Sequence, residues 1–160
     1  MTPQTFLHEF AAYLADLYNS ELLPRPDGSF VAPAIYEQEL PLVESTSESL
    51  PDDYPSPPYV MPKVMDWTGS FTSNPRSITV RVIFCIYDDN KANQGQLTIL
   101  HLHEMLFQRL AKHPYIGVFP VDEDGGFTAA VTEDDTYPYY FGGVEFKVNA
   151  PTLIREDDLA

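Results

Sequence analysis

The N-terminal segment, residues 2–19, has its apolar positions at helical spacing. Thr2 supplies an N-cap hydroxyl and Pro3 suits the first helical position. On a helical wheel the apolar side chains fall within one arc of about 160°. The pattern predicts an amphipathic helix over residues 2–19 that docks on a sheet with these side chains: Phe6, Leu7, Phe10, Ala11, Tyr13, Leu14, Leu17 and Tyr18.

A second helical pattern covers residues 94–112. We expect this helix to end at His113, because Pro114 restricts the backbone of the residue before it. Arg109 and Lys112 lie in its last turn, where positive charge suits the helix dipole. One arc of the wheel is apolar and consists of Ile99, Leu100, Leu102, Leu106, Phe107 and Leu110.

Five segments have the alternation and composition of β-strands. The clearest is 77–87, in which every second residue from Ile78 to Ile86 is apolar. The acidic segment 122–126 predicts a hairpin-type turn between two of the other strands. The order α-β-β-α-β-β-β favours an α+β fold, with two helices packed on a mainly antiparallel or mixed sheet. The predicted strands are residues 63–68, 77–87, 116–121, 127–132 and 139–148.

Residues 23–60 interrupt this regular pattern. Nine of the fifteen prolines lie in residues 23–62, and proline both fixes φ and removes a backbone donor. We therefore predict one domain over 1–160. It consists of the N-terminal helix (1–20), a Pro-rich extended arm or loop (23–60), an α+β core (61–151) and a frayed acidic tail (152–160). Within the arm, residues 34–40 are a candidate either for a short strand or for a segment that packs along the core.

The charge balance limits the choice of partners. The chain carries 24 acidic and 9 basic residues, a formal net charge of −15. Binding to phosphate needs Lys and Arg that displace counterions, so we expect no sequence-specific nucleic acid partner and no membrane partner. The charge favours solubility, or a negative surface that faces other proteins or lines a passage for DNA.

The single cysteine, Cys85, allows no intramolecular disulfide, which favours a reducing compartment. The sequence has no signal-peptide pattern and no apolar run of about 18 residues. We expect the protein to be made in a cytoplasm-like environment.

The sequence shows no catalytic constellation. His101 and His103 lie about 200° apart on a helix, so they cannot hold one metal ion together. His103 falls in the apolar arc, and we expect a hydrogen-bonded core histidine. The loop that begins at Asp88 lacks the ligand spacing of a calcium loop, and phosphate-loop and zinc-protease motifs are absent. We predict no enzyme activity, no cofactor and no metal.

Three segments of the second half resemble a protein family. They are the strand end Tyr87-Asp88-Asp89, the Leu- and Ile-rich helix from Gln96 to Leu110, and the segment Glu133-Asp134-Asp135-Thr136-Tyr137-Pro138-Tyr139-Tyr140-Phe141-Gly142-Gly143. Together with the strand that ends near Pro151, they are similar to tail-terminator (tail-completion) proteins of long-tailed bacteriophages and prophages. The resemblance covers about residues 61–151, and residues 23–58 have no counterpart in it.

The resemblance implies a structural virion protein. It implies a homo-oligomeric ring, commonly a hexamer, that is assembled in the host cytoplasm, caps the finished tail tube and joins it to the head-connector proteins. We expect subunit or tube contacts on the exposed loops, because loops on a rigid sheet commonly carry recognition. The candidate contact residues are Trp67, Phe71, Arg76, Asp88, Asp89, Lys91, Asp122, Glu123 and Asp124.

Three alternatives stay open at this point. The first is a head-closure or connector protein of the same neck region. The second is a monomeric acidic adaptor or inhibitor that binds a basic protein, which the charge of −15 favours. The third concerns Trp67 alone, which is either an exposed aromatic anchor or a core residue beside the first strand of the sheet.

Overall fold

The computed structural model describes residues 2–42, 56–71 and 76–150, and within them the chain adopts the predicted α+β fold. The helices are α1 (Pro3–Leu17) and α2 (Gly95–Lys112). A 3-10 turn spans Glu123–Gly125. The strands are β1 (Leu23–Pro24), β2 (Phe30–Val31), β3 (Ala34–Ile35), β4 (Tyr59–Thr68), β5 (Arg76–Tyr87), β6 (Tyr115–Ile116), β7 (Phe119–Pro120), β8 (Phe127–Val131) and β9 (Tyr139–Ala150).

The main sheet has five strands in the order β3-β4-β5-β9-β8. The pair β3–β4 is parallel, and the other three pairs are antiparallel. The central pair, β5 and β9, stays in register over its whole length from Arg76 opposite Ala150 to Tyr87 opposite Tyr139. Two small hairpins, β1–β2 and β6–β7, complete the structure.

Both helices pack on one face of the sheet, as the apolar alternation predicts. Phe10 of α1 meets Phe146 of β9 edge to face, with ring centroids 5.7 Å apart. The Tyr18 hydroxyl donates a 2.6 Å hydrogen bond to the carbonyl of Leu102, which ties α1 to α2. Ile78, Val80, Val82, Phe84 and Ile86 of β5 are all buried beneath this layer, so the core lies between the helices and the central strands.

Local chemistry explains where the helices begin. The Thr2 hydroxyl accepts a 3.0 Å hydrogen bond from the Thr5 amide, which is the predicted N-cap. Gly95 begins α2 directly against the ring of Tyr140, and a Cβ at Gly95 would lie 2.2 Å from the Tyr140 ring. Only glycine therefore lets α2 approach β9 this closely.

The predicted strand over residues 116–121 is wrong. Gly117 has a φ of +60°, so the chain reverses there and forms the hairpin of β6 and β7. The predicted hairpin-type turn at 122–126 is also wrong. That segment is a 3-10 turn, β7 pairs with β6, and β8 pairs with β9.

The first part of the predicted Pro-rich arm lies against the core. Leu23 is buried in the core cluster, and Ile35 packs against it. Of the strand candidate 34–40, only Ala34–Ile35 is a strand, and it pairs with Tyr59–Val60. Residues 43–55 of the arm and the predicted tail at 152–160 lie outside the described residues.

Candidate interaction surface

The structure divides the predicted contact residues between the two ends of the sheet. Trp67, Phe71 and Arg76 flank the β4–β5 connection at one end, which we call the hairpin end. The acidic residues 122–124 lie at this end too, because the Asp122 amide donates to the carbonyl of Lys147 near the end of β9. Asp88, Asp89 and Lys91 follow β5 at the opposite end. The sequence could not show this division, because it depends on the direction of each strand.

Trp67 is an exposed aromatic residue and not a core residue. Its side chain is 51% exposed, although it lies opposite Ile78, which is fully buried. The Arg76 guanidinium stacks over the Trp67 ring at 5.5 Å from its centroid, a cation–π arrangement. Phe71 is fully exposed. The hairpin end therefore presents two aromatic side chains and a cation.

The acidic turn borders an apolar cavity of about 200 Å³. Asp122 fixes the turn by accepting a hydrogen bond from the Asp124 amide at 3.1 Å. Asp122 and Glu123 lie at the rim of the cavity, whose apolar lining includes Phe107, Leu110, Val121, Phe127 and Phe146. Sequence reasoning missed this cavity because its lining comes from four separate segments. The helical wheel placed Phe107 in the apolar arc of α2, but its side chain is 45% exposed beside the cavity.

The predicted contact loop at the opposite end is held to the segment that precedes β9. The Asp88 amide donates to the carbonyl of Pro138 at 2.9 Å, and the Tyr137 hydroxyl donates to the carbonyl of Asp89. Asp88 also accepts from the amide of Asn90 at 3.0 Å, which forms a tight Asx-type turn. These bonds fix Asp88 and Asp89, while Lys91 stays exposed.

The outer edge of β8 is open among the described residues, since no described strand pairs with it. The Thr132 amide donates to the carbonyl of Phe141, so the backbone amides and carbonyls of Thr132, Ala130 and Thr128 point towards β9. The backbone groups of Phe127, Ala129 and Val131 therefore point away from the sheet.

The opposite edge of the sheet is covered along only part of β4. Gln38 binds Val64 twice, because its amide nitrogen donates to the Val64 carbonyl and its oxygen accepts from the Val64 amide. Beyond a bulge at Met65, no described strand covers residues 65–68. Val64 lies opposite Val80 of β5, and Trp67 lies opposite Ile78, two residues earlier on the same strand. Backbone groups of a strand alternate in direction with a period of two, so those of Trp67 point outward like those of Val64.

The two histidines of α2 lie in different surroundings. His101 is exposed and lies 3.7 Å from the carboxylate of Glu21. His103 is 4% exposed and is in edge contact with Phe84 at 4.9 Å. The predicted hydrogen bond of His103 is wrong, because neither ring nitrogen has a partner among the described residues. Burial lowers its pKa to about 4, so the ring is neutral at neutral pH.

Cys85 is a buried thiol in the middle of β5. Burial raises its pKa to about 11, partly offset by a hydrogen bond with Tyr59. Such a thiol stays protonated and unreactive at neutral pH.

Across residues 2–42, 56–71 and 76–150, the structure has no group of three or more His, Cys, Asp or Glu side chains that could hold a metal ion. In the same residues, neither helix has the length and apolar character needed to cross a membrane. No protein-family model matches this chain, and no curated protein matches it.

Proposed function

We propose that this chain is a structural subunit of a long-tailed phage, a tail-terminator protein that assembles into a ring on the tail tube and joins it to the head. The observation that carries the proposal is the hairpin end, which exposes Phe71 fully and Trp67 by half, with the positive Arg76 stacked over Trp67. Exposed apolar patches on a soluble protein mark interaction sites, and aromatic and Arg side chains are the usual anchors of interfaces.

The resemblance to tail terminators supports this choice of assembly. The segment from Glu133 to Gly143 runs into β9, whose residues Tyr140 and Val144 are buried in the core. Its acidic part is exposed at the end of the sheet that also carries Asp88 and Asp89. The segment therefore combines a packing role with an exposed acidic loop. A head-closure or connector subunit of the same neck region needs the same combination of a buried strand and an exposed acidic loop.

The negative charge suits a ring that surrounds DNA. A lining of acidic side chains repels the phosphate backbone, so that DNA passes without binding. Acidic residues are exposed at both ends of the sheet and are available for such a lining.

Sedimentation and electron microscopy test the proposal. The purified chain is examined by analytical ultracentrifugation over a range of concentrations and by negative-stain microscopy, alone and with phage tail tubes that lack a terminator. We expect rings with a central opening, and density at one end of each tube. A monomer at every concentration that leaves the tubes undecorated would contradict the proposal. Rings that bind isolated head connectors but no tube would favour the connector alternative.

The second candidate function is a monomeric acidic adaptor or inhibitor of a basic protein, and the net charge of −15 favours it. Such binding is electrostatic and weakens steeply with salt. A monomer that binds a basic protein tightly at low salt and loses it at high salt would support the adaptor. Variants with neutralised Asp and Glu that bind the same protein equally well would exclude it.

A further inference from the structure

We infer that the outer half of β4, residues 65–68, pairs with β8 of a second copy of this chain, so that the sheet continues from each subunit into the next. This inference rests on the proposed assembly, and it names the surfaces that join the subunits. The two surfaces are different strands of the same sheet, β4 near one edge and β8 at the other.

The edge strand β8 has none of the features that usually protect an edge from pairing. Its residues are Phe127, Thr128, Ala129, Ala130 and Val131, with no charge, no proline and no bulge. The backbone groups of Ala129 and Val131 point outward and have no partner strand among the described residues. A row of unpaired amides and carbonyls on a regular strand is a template for another strand.

Self-pairing of β8 is opposed by charge. Acidic residues precede β8 at 122–124 and follow it at 133–135. If two copies of β8 paired antiparallel, the acidic residues before one copy would lie beside those after the other. Like charges placed this close repel, so the partner of β8 is a different, less acidic edge.

The outer half of β4 meets this requirement, because its single charged residue is Asp66, whereas six acidic residues flank β8. Its Met65 and Trp67 are exposed, and the Trp67 backbone points outward. In an antiparallel pairing, Phe127 of one copy lies near Thr68 of the next, and the acidic residues 122–124 then lie beside Arg76. A parallel pairing would turn the second copy over, so that its helices and its Phe127 lie on the opposite face of the sheet from Trp67. Burial of the two aromatic side chains on one face therefore favours the antiparallel direction.

The same arrangement gives the exposed aromatic side chain a binding site. Trp67 lies opposite Ile78 and Phe127 lies opposite Phe146, and both partners belong to the face that the helices cover. Trp67 and the Phe127 of the next copy are then neighbours on one face. The apolar cavity beside Phe127 lies on this face and is lined by Phe107 and Leu110.

Contacts between two different surfaces repeat from subunit to subunit. Such head-to-tail interfaces produce rings when the rotation between subunits closes. The inference therefore explains how a small sheet builds a ring without any additional domain.

A proline on the outer side of β8 tests the pairing without breaking the fold. The Ala129 amide points away from β9, so Ala129→Pro keeps the β8–β9 hydrogen bonds and removes an outward donor. We expect Ala129→Pro to raise the concentration for half-maximal assembly at least about tenfold, with an unchanged unfolding midpoint. Ala129→Ser keeps the amide and is the matched control, which we expect to assemble like the wild type.

Cross-linking tests which strand lies beside β8, and it does not depend on a variant that fails to assemble. Thr68 and Thr128 are exposed, and each is replaced by cysteine in a separate chain, while Cys85 is buried and protected. A bismaleimide that spans about 8 Å, the diagonal separation of cross-strand neighbours, is added to each variant and to their mixture. We expect cross-linked dimers in the mixture of Thr68→Cys and Thr128→Cys, and none in either variant alone.

The possible results separate the two proposals. Rings that form equally well with Ala129→Pro, or a mixture that gives no cross-link although rings are present, would overturn the inference and leave the ring subunit standing. Cross-linking of Thr128→Cys alone would show β8–β8 pairing and would also overturn it. A wild-type chain that stays monomeric and does not bind tail tubes would overturn both.

Discussion

His103 is an ionisable side chain placed in the core, and neither of its ring nitrogens has a hydrogen-bond partner among the described residues. It lies between Phe84 and β9, where its Nε2 would be 3.0 Å from a Cβ at Gly142. Burial disfavours the charged form, which is why its pKa falls to about 4 from an ordinary 6.5. Between these two values the unfolded chain takes up a proton that the folded chain does not. His103 therefore costs no stability above pH 6.5, and the free energy of unfolding falls as the pH drops from 6.5 towards 4.

This linkage makes a specific prediction for acid stability. Between about pH 7 and about pH 5, His103 lowers the free energy of unfolding by about 2 kcal/mol. His103→Leu removes this term, so we expect its loss of stability over the same interval to be smaller than that of the wild type by about that amount. Urea unfolding at the two pH values measures it. His101→Gln, at the exposed histidine of the same helix, is the control and should behave like the wild type, and an equal slope in all three proteins would refute the assignment.

Two adjacent glycines of β9 differ in the space around them. A Cβ at Gly142 would lie 2.4 Å from Ile99 Cγ2, whereas a Cβ at Gly143 has its nearest neighbour at 3.4 Å. We expect Gly142→Ala to lower the free energy of unfolding by about 1–3 kcal/mol, because α2 must move away from the sheet. Gly143→Ala should change it by less than about 0.5 kcal/mol. Thermal unfolding of the two variants measures the difference, and equal midpoints would contradict it.

At the residue scale, the sequence predicted which side chains are buried better than it predicted their hydrogen-bond partners. The helical wheel placed His103 inside the apolar arc, and the residue is buried. The wheel could not show that, in the described part of the chain, both ring nitrogens lack a partner, since that depends on the side chains of β5 and β9 that face the ring. The exposure of Trp67 was equally open, because alternation along β4 is shifted by the bulge at Met65.

At the element scale, Gln38 closes one stretch of the sheet edge. Its side chain makes two hydrogen bonds with the Val64 backbone, of 2.9 and 3.0 Å, in place of a neighbouring strand. We expect Gln38→Ala to lower the free energy of unfolding by about 1–2 kcal/mol, because two partly buried backbone groups lose their partner. Urea unfolding measures this. Glu39→Ala removes only the ion pair of an exposed carboxylate with Lys63 and is the matched control, with an expected change under about 1 kcal/mol. Equal losses in both variants would contradict the role of Gln38.

The elements themselves follow the apolar pattern where that pattern is long. Both helices and the strands β5 and β9 lie within two residues of their predicted ends. The failures are short segments. Residues 116–121 alternate like a strand, but Gly117 adopts a positive φ and folds them into the hairpin β6–β7. Likewise β3 has only two residues, so its pairing with β4 depends on tertiary packing that no local pattern reveals.

At the scale of the whole molecule, assembly has to overcome the repulsion between copies that each carry a net charge of −15. The inferred interface contributes few opposite charges, chiefly Arg76 against Asp122 and Glu123. Repulsion between whole subunits therefore exceeds this local attraction, and salt screens it. We expect the concentration for half-maximal assembly to fall as sodium chloride is raised from about 20 mM to about 300 mM, over which the screening length drops severalfold.

The variant Glu123→Gln, which removes one negative charge, separates the repulsion between whole subunits from the attraction at the interface. It lowers the repulsion between subunits by one charge but removes an attraction at the interface, so we expect weaker assembly at every salt concentration. Asp16→Asn removes the same charge from between the two helices, where Asp16 pairs with Arg109 away from both strand edges, and we expect slightly stronger assembly at low salt. Sedimentation velocity measures both variants. If the two variants shift assembly in the same direction, net charge alone governs association, and the acidic turn at Glu123 has no part in the contact with Arg76.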